Sequence, residues 1–194
     1  MPSDAFVHAA HFTAAGRKVV DLVVIHTMEA PEGLTTARDV ARWFAGHRGA
    51  APRASAHYCV DRQDVVQCVS ELDVAWHAPG ANHNGIGIEL AGYARQTPEE
   101  WADAYSTEML QRAAGIVAEI CQRWRIPVRR RTAEELRAGQ RGLCGHADVS
   151  EAFGKSSHWD PGPHFPWHRF LHLIEQRFTG EVLDALEFDA LEQQ

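Results

Sequence analysis

The sequence predicts a single α/β domain that combines short buried strands with amphipathic helices. Short runs of valine and isoleucine, at residues 21–26 and 85–90, are typical of buried strands. Segments with apolar residues at helical spacing follow them along the chain, the longest at about 107–124. The chain has 194 residues, of which 45% are hydrophobic and 23% charged, and this composition suits one domain with a sizeable core.

The first half of the chain is predicted to supply most of the sheet. The strand at 21–26 ends at His26, and strand ends are where sites gather in α/β folds. Thr36 is expected to cap a helix that runs to about residue 46. The remaining elements of this half are a hairpin of strands at 56–60 and 65–69, a loop at 74–84 and the strand at 85–90.

The next part of the chain is predicted to be mainly helical. Pro98 occupies the first position of one helix. The long helix at about 107–124 ends before Pro127, because the residue that precedes a proline avoids the helical conformation. Thr132 and Glu135 match the capping box of a further short helix.

The C-terminal part is predicted to contain one strand and one helix. A short strand is expected within residues 139–145, and Pro166 opens a last helix that runs to about residue 178. We expect the domain to span residues 1–180. The acidic residues 181–194 are interpreted either as a docked helix or as the start of a linker.

Charge and hydropathy exclude several classes of protein. The net charge of −7 argues against a nucleic-acid partner, and the basic run at 123–131 is interpreted as a solvated helix end rather than a patch for an anionic polymer. No stretch is long and apolar enough for membrane insertion. Residues 1–15 lack the basic start and apolar run of a secretory signal, so we expect synthesis in a cytoplasm without a signal peptide.

The four cysteines match neither a CxxC zinc motif nor a dense disulfide framework. Reduced and partly buried thiols are therefore expected. Cys59 and Cys68 face each other across the predicted hairpin, so one disulfide is an open alternative. Cys144 lies two residues before His146 and is an alternative metal ligand.

Three segments that lie far apart in the sequence together predict a catalytic zinc site. They contribute His26, His146 and Asp160. Zinc in hydrolases is usually held by three protein ligands, and the fourth position is left to water. Two imidazoles and a carboxylate meet this requirement, which makes Asp160 a better third ligand than Cys144.

Two further side chains are candidates for the catalytic chemistry. Glu89 is a lone carboxylate in an apolar strand, where a general base is easier to explain than a surface residue. His158 lies two residues before Asp160, so in an extended segment both side chains point the same way. A protonated His158 would stabilise the charge that develops on a carbonyl oxygen.

The remaining histidines and the tryptophans receive simpler interpretations. His57 and His77 are interpreted as structural or cleft-lining residues rather than ligands. His168 and His172 share one face of the last predicted helix, and a solvated face is favoured over a second metal site. Trp76 is the candidate for stacking on a sugar. Four other tryptophans are expected to be core or half-buried packing: Trp43, Trp101, Trp124 and Trp167.

Several short motifs carry a resemblance to a known family. They are Ile25-His26-Thr27, Ser55-Ala56-His57-Tyr58, Ala75-Trp76-His77-Ala78, Asn84-Gly85-Ile86-Gly87-Ile88-Glu89, Gly145-His146-Ala147-Asp148-Val149 and Asp160-Pro161-Gly162. In this order they resemble zinc-dependent N-acetylmuramoyl-L-alanine amidases of the type-2 amidase and peptidoglycan recognition protein superfamily, most of all phage endolysin catalytic domains. The resemblance runs from about residue 19 to residue 178.

The resemblance implies a fold, a metal and a reaction. The fold is a central mixed β-sheet flanked by helices, and residues 1–180 would be the catalytic domain. Zinc would be bound by the three ligands named above, and Glu89 would be the catalytic glutamate. The reaction cleaves the amide between the lactyl group of N-acetylmuramic acid and L-alanine of the stem peptide. The cleft would be lined by Trp76, His77 and Asn84.

The sequence departs from the family pattern at three places. His158 stands where the family often has lysine, and Ala56 stands where some relatives have tyrosine. Tyr58 is a partial substitute for that hydroxyl, although packing is the favoured interpretation of this residue. The stretch at 150–157 is longer than usual and is expected to form a wall of the cleft.

The implied partner is bacterial peptidoglycan or its muropeptides, and we expect a monomer that acts at the bacterial cell wall. The acidic tail is compatible with a wall-binding domain that follows in a longer protein. Two alternatives to the amidase remain open, namely a non-catalytic peptidoglycan-binding module and a zinc peptidase that cuts within the stem peptide. A phage lysin and a cytoplasmic recycling enzyme are both compatible with the sequence.

Overall fold

The computed structural model describes residues 5–47 and 49–178. The strands are β1 (Ala5–Phe6), β2 (Phe12–Thr13), β3 (Leu22–Thr27), β4 (Tyr58–Val60), β5 (Val65–Gln67), β6 (Val74–Ala75), β7 (Gly85–Leu90) and β8 (Gly142–Gly145). The helices are α1 (Thr36–Phe44), α2 (Ala104–Trp124), α3 (Ala133–Arg137), α4 (His146–Phe153) and α5 (167–178).

A six-stranded mixed sheet forms the centre of the domain. Its strand order is β1-β5-β4-β7-β3-β8, and β2 pairs with β6 in a separate two-stranded sheet. Within the larger sheet only β4 and β5 run antiparallel, as the two arms of the predicted hairpin. The α/β fold with a central mixed sheet is therefore confirmed.

The two faces of this sheet have different neighbours because successive side chains in a strand point to opposite faces. Val23 and Ile25 of β3 belong to one large apolar core together with residues of α2 and α5. Val24 of β3 belongs to a smaller cluster on the other face, with Val149 of α4. His26 shares the face of Val24, so it extends from the face that α2 does not cover.

The central strands place the candidate residues beside one another. β3 pairs with β7 in parallel over their full length, with His26 opposite Glu89. β8 pairs with the other edge of β3, with Gly145 opposite Ile25, and His146 follows directly as the first residue of α4. His26, Glu89 and His146 therefore meet at the carboxyl ends of three neighbouring strands.

Several boundaries differ from the predictions. Asp103 caps α2 by accepting a hydrogen bond from Ser106 N, so the long helix begins earlier than the apolar pattern suggested. The helix predicted from Pro98 is one 3-10 turn at Glu100–Ala102. The capping box of Thr132 and Glu135 is confirmed. The acidic segment 181–194 lies outside the described residues.

Several arginines of the basic run pair with carboxylates, although Arg123, Arg125 and Arg129 are exposed. Arg123 contacts Glu71, and Arg130 lies 2.7 Å from Asp148. Arg131 is buried and pairs with Glu135. The exposed arginines agree with the interpretation as a solvated helix end and loop, whereas Arg130 and Arg131 link this loop to α4 and α3.

All four cysteines are free and buried, and Cys59 Sγ lies 3.8 Å from Cys68 Sγ. Among the residues that the structure describes, no helix combines the length and the apolar character that crossing a membrane requires.

Candidate metal centre and catalytic cleft

The three predicted ligands come together at one end of the sheet. His26 lies near the end of β3, and His146 begins α4. A backbone hydrogen bond holds Asp160 beside His146: the Asp160 carbonyl accepts from Ala147 N at 2.9 Å. Gly145 makes the approach possible, because a Cβ at this position would lie 2.6 Å from Pro161 Cδ.

The donor atoms converge closely enough for one metal ion, since one ligand atom from each of the three residues lies within 4.8 Å of the others. His26 Nδ1 lies 2.9 Å from Asp160 Oδ2, and His146 Nδ1 lies 3.4 Å from Asp160 Oδ1. Ligand atoms about 2.0–2.1 Å from a tetrahedral zinc ion lie about 3.3 Å from one another. Within residues 5–47 and 49–178 these three side chains are the one group of potential metal ligands with this convergence, and all three are buried.

The protonation states also suit a metal. Burial lowers the pKa of His26, which favours the neutral imidazole despite the nearby Asp160. Burial alone would raise the pKa of Asp160, but hydrogen bonds with His146 and His26 outweigh it and hold that pKa well below its usual range. A neutral imidazole and an ionised carboxylate are the forms that coordinate metals.

Glu89 lies beside this cluster, in register with His26. Burial raises the pKa of Glu89 well above its usual value, and the negative charge of Asp160 raises it further. Its Oε2 atom is buried and has no hydrogen-bond partner in the structure. A buried carboxylate with an open oxygen, next to candidate metal ligands, is suited to exchanging a proton with a bound water.

His158 lies at the outer edge of the cluster. Its ring stacks on the ring of His146, with centroids 4.4 Å apart and an angle of 6° between the planes. Its Nδ1 lies 3.6 Å from Asp160 Oδ1, and 67% of the side chain is exposed. His158 is therefore placed to meet a substrate atom that enters from solvent.

The cluster opens into a cleft of about 350 Å³. Its floor is formed by the candidate ligands and Glu89, and its walls include aromatic and charged side chains, as expected for a pocket that binds an amphiphilic ligand. The wall residues are Glu29, Trp43, Arg53, Trp76, His77, Ser156 and His158.

Comparison with known proteins assigns this arrangement to a family. A family model described as N-acetylmuramoyl-L-alanine amidase matches residues 15–163. The chain belongs to this amidase family. It is 30% identical over 162 residues to N-acetylmuramoyl-L-alanine amidase A of Achromobacter lyticus, covering 78% of this chain and 81% of that protein. It is 29% identical over 135 residues to N-acetylmuramoyl-L-alanine amidase CwlL of Bacillus licheniformis, covering 61% of this chain and 35% of that protein.

Solved structures share the fold of the amidase at low sequence identity. The hydrolase AmiA of Staphylococcus aureus, in complex with its ligand, matches with a TM-score of 0.68 and 16% identity over 92% of this chain and 84% of that chain. A mutant endolysin from Bacillus subtilis matches with a TM-score of 0.56 and 16% identity, over 89% of this chain and 99% of that chain.

The structure brings two of the three predicted substrate-binding residues to the amidase cleft. Trp76 lines the cleft, and its indole Nε1 donates a hydrogen bond to Thr13 Oγ1 at 2.9 Å. His77 also lines it, but the side chain is largely buried, since 8% of the residue is exposed. Its Nδ1 lies 3.0 Å from His26 Nε2, a contact that a purely substrate-binding residue would not need.

The third of these residues, Asn84, is placed elsewhere. It precedes Gly85 at the start of β7, whereas Glu89 lies near the end of that strand. Five residues of strand separate them by about 16 Å. The Asn84 amide nitrogen instead lies 3.3 Å from Asp21 Oδ2. The predicted substrate-binding role of Asn84 is therefore corrected to a link between loops at the opposite end of the sheet.

Two alternatives from the sequence also lie outside the amidase cleft. Tyr58 donates a hydrogen bond to Glu71 Oε1 at 2.8 Å and packs in the core with α2, so it does not replace the missing tyrosine hydroxyl. Cys144 is fully buried among apolar side chains, where burial raises the pKa of its thiol. Asp160, not Cys144, is the third member of the cluster.

Several residues in the walls of the cleft were not predicted from the sequence. Trp43 was expected to be core or half-buried packing; 45% of it is exposed, and its position in the wall of the cleft was not predicted. Glu29 has a φ of 49°, a backbone conformation that is strained for a residue with a side chain. Its carboxylate accepts hydrogen bonds from Thr27 Oγ1 and Ala94 N, both at 2.7 Å. No sequence pattern predicts this strained backbone. The position of Glu29, three residues after His26, does indicate that it lies near the site.

Proposed function

We propose that this amidase is zinc-dependent and hydrolyses the amide bond between the lactyl group of N-acetylmuramic acid and the L-alanine of the peptidoglycan stem peptide. Residues 1–180 would form the catalytic domain, which acts at the bacterial cell wall. The observation that carries the proposal is the convergence of His26, His146 and Asp160 beside Glu89 on the floor of an open cleft.

The choice of zinc rests on the donor set. Two imidazole nitrogens and one carboxylate oxygen are the ligand types that zinc prefers, and three protein ligands leave one position open for chemistry. When bound, zinc supplies a Lewis acid that polarises a carbonyl oxygen and makes a water molecule more acidic. Magnesium and calcium favour sets that consist of oxygen alone, so they fit this site poorly.

Glu89 is the proposed general base and then general acid. It removes a proton from the attacking water, whose oxygen forms a bond to the lactyl carbonyl carbon. The same proton then passes to the alanine nitrogen as the carbon–nitrogen bond breaks, so the products are a free amine and a carboxylic acid, which releases its proton to solvent at neutral pH. A bound cation would lower the pKa of Glu89, which burial raises, and would bring the carboxylate into its working form.

His158 is the proposed partner of the substrate carbonyl. An N–H of its exposed ring can donate to the oxygen on which negative charge develops. Stacking on His146 limits its orientations, so the donor is positioned before the substrate enters. Trp76, with its indole fixed by Thr13, would contact the sugar ring.

The identity of the cleaved bond is the first result to establish. We expect a purified muramoyl-peptide incubated with the protein to release the whole stem peptide with a new amine on L-alanine. A zinc chelator is expected to prevent this release, and added zinc is expected to restore it, because the metal would make the attacking water more acidic. Mass spectrometry of the products distinguishes this bond from every other amide in the peptide.

The same experiment separates the competing functions. Intact substrate with and without chelator, together with retained binding, would indicate a non-catalytic peptidoglycan-binding module. Fragments cut between amino acids would indicate a peptidase that acts within the stem peptide. Repeating the assay on intact wall and on soluble anhydro-muropeptides distinguishes a lysin from a recycling enzyme.

A further inference from the structure

His77 makes a buried contact with one of the proposed metal ligands. Its Nδ1 lies 3.0 Å from Nε2 of His26, and the two rings meet edge to face at 89°. The Nδ1 of the same His26 ring faces Asp160 at 2.9 Å. One nitrogen of His26 therefore points into the candidate metal cluster, and the other points at His77.

The surrounding sequence is arranged to hold His77 in this position. Gly87 lies beneath it on β7, and a Cβ there would come within 2.6 Å of the His77 ring. Gly85, two residues earlier on the same face, would bring a Cβ within 3.4 Å of this ring. The backbone N–H groups of His77 and Ala78 both donate to Asn82 Oδ1, at 3.0 and 2.6 Å, which fixes the loop.

A hydrogen bond at this place has a definite chemical effect. A neutral imidazole carries its proton on one nitrogen and a lone pair on the other. When a metal takes the lone pair of His26 Nδ1, the atom that faces Asp160, the ring proton is on Nε2 and can be donated to Nδ1 of His77. Partners of this kind fix the orientation and tautomer of ligand histidines and strengthen metal binding.

We propose that His77 is a positioning residue for the metal centre: it accepts a hydrogen bond from His26 and presents His26 Nδ1 to the metal. This inference rests on the proposed function, because it requires that His26 binds zinc. It replaces the substrate-binding role predicted from the sequence. The burial of His77 supports the assignment, since little of the ring is available to a substrate.

His146, the second ligand histidine, has a weaker partner of the same kind. Its Nε2 lies 3.2 Å from Ser156 Oγ, which in turn lies 2.7 Å from Ser150 Oγ. Ser156 is half-buried, so water is able to replace its hydroxyl. The loss of His77 is therefore expected to weaken metal binding more than the loss of Ser156.

Zinc affinity of the metal-free protein tests the proposal directly, by competition with a chromophoric chelator. We expect His77→Ala to raise the dissociation constant for zinc about 10–100-fold. An asparagine oxygen can occupy the position of the histidine Nδ1, whereas a glutamine oxygen reaches the position of Nε2. His77→Asn is therefore expected to bind zinc within about fivefold of the unmodified protein, whereas His77→Gln should resemble His77→Ala.

His57 offers a matched control. It is fully buried, its ring centre lies 5.7 Å from that of His77, and its Nδ1 accepts a hydrogen bond from Gly87 N at 3.0 Å. His57→Ala is expected to lower the melting temperature while leaving zinc affinity within about threefold. Equal zinc affinity in all His77 variants, or equal losses in His57→Ala and His77→Ala, would overturn the positioning role. Failure of the unmodified protein to bind zinc would instead overturn the proposed function.

Discussion

Replacement of Asp160 with alanine is expected to remove both metal binding and amidase activity. Asp160 contacts both histidines of the cluster, at 2.9 and 3.4 Å, and its loss leaves only two neutral imidazoles as candidate ligands. Loss of the Lewis acid is expected to lower kcat/KM at least about a thousandfold, equivalent to about 4 kcal/mol of transition-state stabilisation. Metal content by mass spectrometry and hydrolysis of a muramoyl-peptide measure the two losses separately.

Two further variants test whether the loss of metal binding and activity is due to the charge of Asp160. Asp160→Asn retains the size of the side chain, so it is expected to fold but to bind zinc poorly, because the anionic ligand is lost. His168→Ala removes an exposed histidine of α5 and is expected to change neither metal content nor activity. An Asp160→Ala protein that retains zinc and full activity would show that the cluster is not the metal site.

The ligand cluster was predictable from the sequence for a physical reason. His26 and Glu89 each lie near the end of an apolar run, and parallel pairing of two such runs brings the ends to one edge of the sheet. The order of the motifs then added His146 and Asp160. The convergence of these side chains was predictable because their positions depend on strand register, which apolar patterning largely determines.

The errors have equally specific causes. Asn84 and Glu89 belong to one motif and were assigned to one site, but they lie at opposite ends of the same strand. The contact between His26 and His77 joins residues far apart in sequence through a loop whose shape depends on Asn82. The strands β1, β2 and β6 have two residues each, too few to show a period.

The helix α4 was missed because its start lacks the usual side-chain cap. Gly145 is the N-cap residue, and the motif around it was interpreted as a metal-ligand segment. Asp148 in the first turn accepts a hydrogen bond from Gly145 N at 2.7 Å, which stabilises the helix start in place of a serine or threonine. Because His146 is both a proposed ligand and the first residue of α4, its motif was interpreted as a ligand segment and the helix was not predicted.

Glu89→Gln is expected to lower kcat about 10²–10⁴-fold while leaving zinc content unchanged. The amide has the shape of the carboxyl group but cannot accept the proton of the attacking water at neutral pH. Because Glu89 is not one of the converging ligands, the metal should remain bound. Hydrolysis kinetics and metal analysis of the same preparation measure both quantities. Unchanged kcat would exclude Glu89 as the general base.

The same variant is expected to be more stable than the unmodified protein when both are metal-free. Burial raises the pKa of Glu89 in the folded protein, so the folded state holds its proton above the pH at which the unfolded chain, with a pKa of about 4.5, has released it. The unmodified protein therefore loses about 1.4 kcal/mol of stability per pH unit above that pKa, until the folded pKa is reached. Glutamine has no such dependence, so denaturant unfolding should show a stability difference that is small at pH 4 and grows towards neutrality. A difference that does not change with pH would mean that Glu89 is not desolvated. A difference that grows would show that Glu89 is a desolvated carboxylate that lowers the stability of the fold, as expected for a functional residue.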